Sequence, residues 1–208
     1  MNYTQFYKRL FGPIEKRIGP FDAKSIVAIV GFDAGGPLNF STVGREKRRS
    51  FVTYVSSELA VRSDQKVGSL GPFELMTTCN SQRWCRSILT DIGQMTLDET
   101  FDHLHTMDIG SLSKKSSPIQ GVVFEKFAAV TISGKRYGLL YCHGVTRDEL
   151  DFALQNGSQA LLSRLKDAGI YPNTDVHREI SVVPTTNNSL RRTRSRPLAK
   201  RARPAVSR

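Results

Sequence analysis

Histidine and cysteine side chains cluster at two places in the sequence, and both residue types bind metals and take part in catalysis. His103 and His105 would lie on the same side of a strand, a spacing that zinc sites can use. Four further residues complete the set from which a mixed cysteine–histidine site can be drawn: Cys79, Cys85, Cys142 and His143.

The spacing of these residues argues against both a metal site and a cysteine nucleophile. No CxxC pair is present, and the ligands would come from three separate segments, whereas structural zinc sites usually contain closer ligand pairs. Adjacent strand residues point to opposite faces, so His143 cannot activate Cys142, and no third residue is evident to orient a base. We therefore predict no catalytic residue, no metal and no cofactor, and interpret Cys79 and Cys142 as small buried apolar side chains.

Two other patterns suggest chemistry at first sight. The glycine-rich run Gly31–Gly36 follows an apolar segment, as a phosphate-binding loop would, but it lacks the Gly-Lys-Ser/Thr ending and no helix pattern follows it. We interpret it as a turn. A group of carboxylates could hold a cation or form an acidic recognition surface, but nothing nominates a paired acid and base, and we interpret them as solvated. These carboxylates are Asp98, Glu99, Asp102 and Asp108.

The net charge of +11 belongs mostly to the C-terminal end of the chain. Residues 189–208 contain eight basic residues and no acidic one. Removing those eight from the 30 basic residues leaves 22 against 19 acidic residues, a net charge of +3 for the remainder. We therefore divide the chain into a folded domain, residues 1–184, and a disordered arginine-rich tail, residues 185–208, which is too polar to form a core.

The tail has two interpretations. It is either a solvated extension or a contact for nucleic acid or an acidic partner, because arginine binds phosphates strongly. The tail has no aromatic residue to stack on bases, and the rest of the chain matches no nucleic-acid-binding motif. The candidate contact residues are Arg191, Arg192, Arg194, Arg196, Lys200, Arg201 and Arg203. A second basic cluster, Arg45, Lys47, Arg48 and Arg49, is interpreted as a solvated loop.

The hydrophobic patterns predict an α+β fold with a mostly antiparallel sheet flanked by helices, because strands dominate the middle of the chain and helices bracket it. The expected helices start at Tyr3, at Asn80 or Ser81, at the capping box Thr146–Glu149, and at Ser158. Gly12-Pro13 should break or kink the first helix. Trp84 lies on the same side of the expected helix as Ile88 and Ile92, which predicts a core position for its ring. The expected strands are Ile26–Val30, Arg49–Ala60, Phe73–Thr78, His105–Ile109, Ile119–Phe124, and Val130–Ile132 paired with Arg136–Cys142 across a Ser133-Gly134 hairpin turn.

Segment lengths and cysteine use bear on the location of the protein. No run of 18 or more apolar residues is present, so we expect no membrane association, and residues 1–12 lack the apolar core of a signal peptide. The chain has three cysteines and is not disulfide-dense, which favours a reducing compartment. We expect a cytoplasmic protein; its oligomeric state is not indicated.

Several segments, taken in their order and spacing, resemble the suppressor of fused domain family. The similarity covers about half of the chain well and extends more weakly back to the first helix. The segments are Phe73–Cys79, the helix that contains Trp84, His105–Gly110, Val123–Glu125, Tyr137–Tyr141, Gly144–Leu150 and Asn156–Ser158.

The resemblance implies an α+β protein-binding module without known catalysis. Large animal members of the family bind Gli-type zinc-finger transcription factors and carry a further C-terminal domain, which this chain is too short to hold, so Gli binding is not carried over. Short, stand-alone members are typically bacterial, and some are proposed immunity proteins that neutralise toxins. We therefore expect a protein partner, with a toxin as one candidate, and a nucleic-acid-associated scaffold acting through the tail as the alternative.

Overall fold

A computed structural model describes residues 2–112 and 117–183 of the chain. Four α-helices and seven β-strands lie within these residues, together with two short 3-10 helices at Phe32–Ala34 and Leu59–Val61. In chain order the elements are α1 (Tyr3–Arg17), β1 (Phe40–Val43), β2 (Val52–Ser56), β3 (Phe73–Cys79), α2 (Gln82–Met95), β4 (Thr106–Asp108), β5 (Ile119–Ile132), β6 (Lys135–Thr146), α3 (Arg147–Asn156), α4 (Ser158–Asp167) and β7 (Asn173–Thr174).

The strands form one mixed sheet in the order β1-β2-β3-β6-β5-β4, and β7 pairs with the end of β3. Neighbouring strands run antiparallel except that β3 is parallel to both β6 and β7. The predicted class, α+β with a mostly antiparallel sheet and flanking helices, is confirmed. The parallel contact between β3 and β6 places the two halves of the chain side by side in the centre of the sheet.

Helices cover both faces of the sheet, and the alternation of side chains along β6 shows which helix lies on which face. Leu140 and Cys142 pack into the cluster that includes the buried side of α2. Leu139 and Tyr141 point the other way and pack with α1, and Val145 packs with α3 and α4 on that same side. The core therefore has two layers, with α2 alone on one face and the other three helices on the opposite face.

The β5–β6 hairpin forms where the sequence predicted it. Ser133 and Gly134 have φ values of 50° and 79°, as a two-residue turn between twisted strands requires. The segments Ile119–Phe124 and Val130–Ile132 were expected to be separate strands. They are parts of one strand, β5, which continues across a register shift between Lys126 and Ala128.

Gly12-Pro13 was expected to break or kink the first helix. The helix is not broken there, because α1 runs from Tyr3 to Arg17 with Pro13 inside it. A proline inside a helix costs about 3 kcal/mol. Leu10, Phe11 and Ile14 are buried on either side of Pro13, so packing against the sheet offsets that cost.

The predicted buried strand Ile26–Val30 is wrong. Only Ile26 pairs with the sheet, through an isolated bridge to Phe40, the first residue of β1, a strand that is not among those expected from the sequence. Beyond the bridge, Val27 and Ile29 are 70% and 104% exposed. Apolar composition predicted burial, but the segment lies at the outer edge of the sheet, where no neighbouring element among the described residues covers it.

Gly157 separates α3 from α4, and the capping box predicted at the start of α3 is confirmed. Ser158 was expected to cap α4. Instead Gly157 occupies the cap position, with a φ of 90°, and the Ser158 hydroxyl donates to the carbonyl of Leu104 at 2.7 Å. The serine therefore anchors α4 to the loop before β4.

The described residues end at Val183, one residue before the end of the proposed domain, so the boundary stays a prediction. Val182 and Val183 pack against the cluster formed by α3 and α4, and the tail, residues 185–208, lies outside the described residues. We predict that a chain ending at Val183 melts within about 2 °C of the full chain, because the tail residues offer little apolar surface to bury. Thermal unfolding of both chains tests this, and a large drop for the shorter chain would show that the tail packs on the domain.

Candidate interaction surface

A pocket of about 390 Å³ opens beside the start of α2 and is one of several concave features of the described surface. The helix begins here because Ser81 acts as its N-cap and accepts a hydrogen bond from the backbone N–H of Trp84 at 3.4 Å. The other wall comes from the segment after β7. The lining residues are Ser81, Arg83, Trp84, Ser87, Ile88, Leu112, Ser117, Pro118, Val176 and His177.

Trp84 forms one side of this pocket and is only partly buried, although it packs against the core as its phase with Ile88 predicted. The ring lies against β6 at Gly144, where a Cβ atom would come within 3.1 Å of the ring and 2.5 Å of the Thr174 methyl group. Glycine at this position therefore lets both the indole and β7 approach the strand. The indole N–H is buried and has no hydrogen-bond partner among the described residues.

The pocket has a cationic mouth and an apolar floor. Arg83 and His177 are exposed at its rim, Ile88 and Val176 are buried at its base, and no acidic side chain occurs among its described lining residues. Asp175 lies next in sequence to this wall. Its carboxylate accepts hydrogen bonds from the backbone N–H of His177 at 3.0 Å and from the Asn80 amide at 2.6 Å.

These contacts hold the pKa of Asp175 below its usual 3.8, with the His177 backbone N–H as the largest cause. The charged carboxylate thus fixes the position of His177 beside the start of α2. Asn80 also accepts from the backbone N–H of Val176 at 3.1 Å. The second wall of the pocket is therefore held in place by paired polar contacts and not by apolar packing alone.

A second surface feature is the exposed apolar segment Ile26–Val30. Val27, Ile29 and Val30 are between 51% and 104% exposed, and the backbone N–H of Ala28 is held by the Asn39 side chain at 2.7 Å. Exposed apolar patches on a sheet edge are typical of contact surfaces. This segment has no concave shape and no charged group within it, so it offers less specificity than the pocket beside Trp84.

A buried imidazole lies on the opposite face of the sheet, between the α1 and α4 sides. His143 is stacked between the rings of Tyr141 and Tyr171, at centroid distances of 4.4 and 5.0 Å. Its Nε2 atom lies 2.8 Å from a carboxylate oxygen of Glu125, whose other oxygen is 3.4 Å from the Lys166 amine. Sequence reasoning did not pair His143 with Glu125, because only the register of β5 against β6 makes them neighbours.

This cluster fixes the protonation of its members. Burial lowers the pKa of His143 below its usual 6.5, so the imidazole is neutral near pH 7. Burial opposes ionisation of Glu125, but hydrogen bonding to His143 and the charge of Lys166 lower the pKa of that carboxyl. With His143 only 3% exposed, the group has a structural role and is not accessible to a substrate.

We predict that the tendency of His143 to become protonated lowers the stability of the fold as the pH decreases. Its folded-state pKa lies below its unfolded value of 6.5, so as the pH decreases the unfolded chain binds a proton first. The free energy of unfolding should therefore decline from about pH 6.5 downwards. His143→Gln keeps a donor toward Glu125 but does not titrate, and chemical denaturation between pH 7 and pH 5 should show a shallower decline for this variant. Equal slopes would contradict the buried neutral imidazole.

The structure does not assemble the mixed cysteine–histidine site. Cys79 is buried, as predicted, but it is joined to Cys85 as a disulfide that links the end of β3 to the first turn of α2, with Cα atoms 6.8 Å apart. Cys142 is free and buried, and burial raises the pKa of its thiol. His103 instead accepts a hydrogen bond from the backbone N–H of Lys126. Within residues 2–112 and 117–183, no three metal-binding side chains form a group that could hold an ion.

The candidate carboxylates are dispersed. Asp98 and Glu99 are exposed after α2. Asp102 accepts two hydrogen bonds from Ser69, and Asp108 pairs with Arg147 at 2.7 Å.

The remaining candidate residues have structural explanations or lie outside the residues that the structure describes. The glycine-rich run contains the 3-10 helix Phe32–Ala34 and forms a turn, and the basic cluster at 45–49 is exposed in the β1–β2 loop. All seven candidate contact residues of the tail lie outside the described residues. No helix in the described ranges is long and apolar enough to cross a membrane.

Comparison with known proteins shows which family and which solved structures are similar to this chain. The model of the suppressor of fused protein family matches residues 36–179, and no protein of curated function matches the chain. A crystal structure of a Sufu–Fu complex is similar with a TM-score of 0.63 and 14% identity, over 86% of this chain and 91% of that chain.

Two further structures are similar in fold. Drosophila Suppressor of Fused has a TM-score of 0.62 and 16% identity, over 85% of this chain and 50% of that one. A putative suppressor of fused homologue from Neisseria gonorrhoeae has a TM-score of 0.57 and 16% identity, over 86% of this chain and 98% of that one. At these identities the likeness is one of fold.

Proposed function

The chain belongs to the suppressor of fused family, and from that premise we propose that it is a non-enzymatic module that binds another protein. The observation that carries the proposal is the pocket beside Trp84, which combines an apolar floor with an aromatic side and an arginine at its mouth. Partly buried aromatic residues flanked by arginine are the usual anchors of protein interfaces. The similar Sufu–Fu structure is itself a complex of proteins.

The absence of catalysis is part of this proposal. Cys142 is buried, and a raised pKa keeps its thiol protonated and therefore a poor nucleophile. The histidine of the only imidazole–carboxylate pair recorded among the described residues, His143, is 3% exposed and stacked between two tyrosines. A substrate would have to displace core side chains to reach either group.

The partner we propose is a toxin that the chain neutralises as an immunity protein, as expected from the resemblance. The alternative is a scaffold whose arginine-rich tail binds nucleic acid; its support is the concentration of eight basic residues in positions 189–208. The two differ in what added salt does, because counterion release makes a complex with nucleic acid weaken steeply.

An affinity capture from the native host tests the proposed function. The full chain and a chain ending at Val183 are immobilised, the extract is treated with nuclease, and the bound material is washed at about 0.1 and 0.5 M salt. We expect both chains to retain the same protein partner in near-equal molar amount at either salt concentration. Loss of all bound protein after nuclease treatment, or retention by the full chain alone, would favour the tail and overturn the proposal.

We also propose a cytoplasmic location, from the low cysteine content. The Cys79–Cys85 bond weighs against it, because disulfides are uncommon in reducing compartments. In a reducing cytoplasm we expect this pair to be held as two thiols. Rapid acid quenching of cells, followed by alkylation of the denatured protein and mass spectrometry, should then find three alkylated cysteines; one alone, Cys142, would indicate an oxidising location.

A further inference from the structure

We propose that the pocket beside Trp84 is the partner-binding site and that it accepts a peptide segment in which an apolar side chain lies next to a carboxylate. This inference rests on the proposed function and adds the location of the site and the chemistry of the segment that it recognises. Three groups define the pocket: an apolar floor, a cationic rim and the positive end of a helix.

The floor selects the apolar side chain. Ile88 and Val176 are 2% and 7% exposed, so they offer a fixed surface, and the indole of Trp84 forms the adjoining side. A pocket of about 390 Å³ is large enough for one aromatic or branched side chain with its backbone. A side chain buried in such a pocket is the type of anchor that dominates the energy of many protein interfaces.

The rim selects the carboxylate. Arg83 lies in the first turn of α2, where the unpaired backbone N–H groups give the helix a partial positive charge, and this turn contains no acidic residue to offset it. His177 faces the same opening. A carboxylate at the mouth would complement both the guanidinium and the helix end, and such charge-assisted hydrogen bonds are stronger than neutral ones.

The indole of Trp84 offers the pocket its ring and not its N–H. The Nε1 atom is buried, and no described residue accepts its hydrogen. The ring forms one side of the pocket, where an apolar side chain of the peptide can pack against it.

A peptide fits these features better than a nucleic acid does. Single strands are bound along grooves that carry several cations and several stacking rings. The pocket has one arginine, one histidine and one aromatic ring, and aliphatic side chains form much of the remaining wall. The site is therefore suited to a short anchor and not to a charged polymer.

The fluorescence of Trp84 gives a direct test, since it is the single tryptophan of the chain. A phage library of random peptides that lack tryptophan is selected on the full-length protein, and the enriched peptides are synthesised and titrated while the emission of Trp84 is recorded. We expect enriched sequences to share an apolar residue within two positions of Asp or Glu, and to change the tryptophan emission on binding.

Charge reversal at the rim supplies the matched control. Arg83→Glu should weaken binding of the selected peptides by about tenfold or more, because it replaces an attractive charge by a repulsive one. Arg9→Glu, an equal charge change at an exposed position of α1, should leave the affinity within about twofold. Thermal unfolding of both variants shows whether the fold is intact.

Several outcomes would overturn the inference. These are a failure to enrich any peptide, enriched sequences without an acidic residue, equal affinity for Arg83→Glu, or tighter binding of a 15-nucleotide single strand than of any peptide at this site. The affinity capture described above separates the two proposals. If a host protein binds the wild type and Arg83→Glu equally, the chain is a binding module with its site elsewhere; if no host protein binds at all, the proposed function fails as well.

Discussion

Replacing Arg178 by methionine is expected to lower the free energy of unfolding by about 3–5 kcal/mol, because it leaves a buried carboxylate without its cation. Glu149 is fully buried, and Arg178 donates to its two oxygens at 2.5 and 2.8 Å. The same carboxylate accepts hydrogen bonds from the backbone N–H groups of Thr146 and Val182, each at 2.9 Å. One side chain thus holds the start of α3 and the last described segment of the chain together.

The pH dependence of this pair has a defined sign. Burial opposes ionisation of Glu149, but the hydrogen bonds from Arg178 and the backbone together keep its pKa below the usual 4.5. A group whose pKa is lower in the folded protein stabilises the fold at pH values above its unfolded-state pKa. That stabilising contribution is lost as the pH falls through its folded-state pKa. The wild type should therefore lose its advantage over Arg178→Met as the pH is lowered below about 4.5.

Chemical denaturation at pH 7 measures the effect, and the double variant Arg178→Met with Glu149→Gln is the control. Removing the buried charge together with its partner should restore part of the stability, because the neutral amide has a smaller cost of burial. A loss below about 1 kcal/mol in the single variant would show that water reaches Glu149 and that the pair behaves as a surface salt bridge.

This pair also shows which features the sequence could reveal. The capping box from Thr146 to Glu149 depends on a spacing of three residues, and it was predicted correctly. The partner of Glu149 lies 29 residues further along the chain, and nothing local indicates it. The Ser133-Gly134 hairpin was likewise predictable from its turn residues, whereas the parallel contact of β3 with β6 requires knowledge of the whole sheet.

The segment Ile26–Val30 shows why composition alone misled the strand assignment. Five apolar residues in a row are typical of a buried strand, but burial requires a neighbour on each side. In the structure only Ile26 reaches β1, and the rest of the segment remains at the edge. Apolar composition therefore identified a segment that is exposed in the structure. The periodicity of this run could not distinguish a buried strand from an exposed segment at the sheet edge.

The pocket beside Trp84 was predictable only in part. The phase of Trp84 with Ile88 placed the ring on the inner side of α2, and its packing against the core agrees with that. The opposite wall, formed by Val176 and His177, is about 90 residues away in sequence and is held there by Asn80 and Asp175. A pocket built from two distant segments leaves no local signal in the sequence beyond a single tryptophan at a helix start.

A second large effect is expected at Glu74, a carboxyl group buried in the middle of β3. The side chain is 0% exposed and accepts hydrogen bonds from the Tyr7 hydroxyl at 2.7 Å, the Ala60 backbone N–H at 2.8 Å and the Ser56 hydroxyl at 2.5 Å. These donors come from α1, from β2 and from the 3-10 helix that follows β2. Glu74 therefore links three elements to the centre of the sheet, and it is the one charged residue in a strand whose other residues are apolar or threonine.

Replacing Glu74 by leucine is expected to lower the free energy of unfolding by about 3–5 kcal/mol. The change leaves the Tyr7 hydroxyl and the Ala60 backbone N–H without an acceptor. Each such buried group costs about 1–3 kcal/mol when it is not relieved by small shifts, and the leucine also leaves Ser56 with only its longer contact to the Leu75 carbonyl. Glu74→Gln should cost about 1 kcal/mol or less. Its amide oxygen can accept from Tyr7 and Ala60, and its NH₂ group can donate to Ser56, whose hydroxyl can turn to the Leu75 carbonyl at 3.3 Å.

The dependence on pH distinguishes the glutamine variant from the wild type. Burial raises the pKa of Glu74 above its usual 4.5, so the folded protein holds a proton more tightly than the unfolded chain does. The stabilising contribution is complete below about pH 4.5 and is lost as the pH rises through the folded-state pKa. Denaturant titrations from about pH 5 to about pH 8 should therefore show Glu74→Gln gaining on the wild type with rising pH. If the leucine variant were as stable as the glutamine variant, the three hydrogen bonds would contribute nothing to the fold, and the link from Glu74 to α1 and β2 would have to be abandoned.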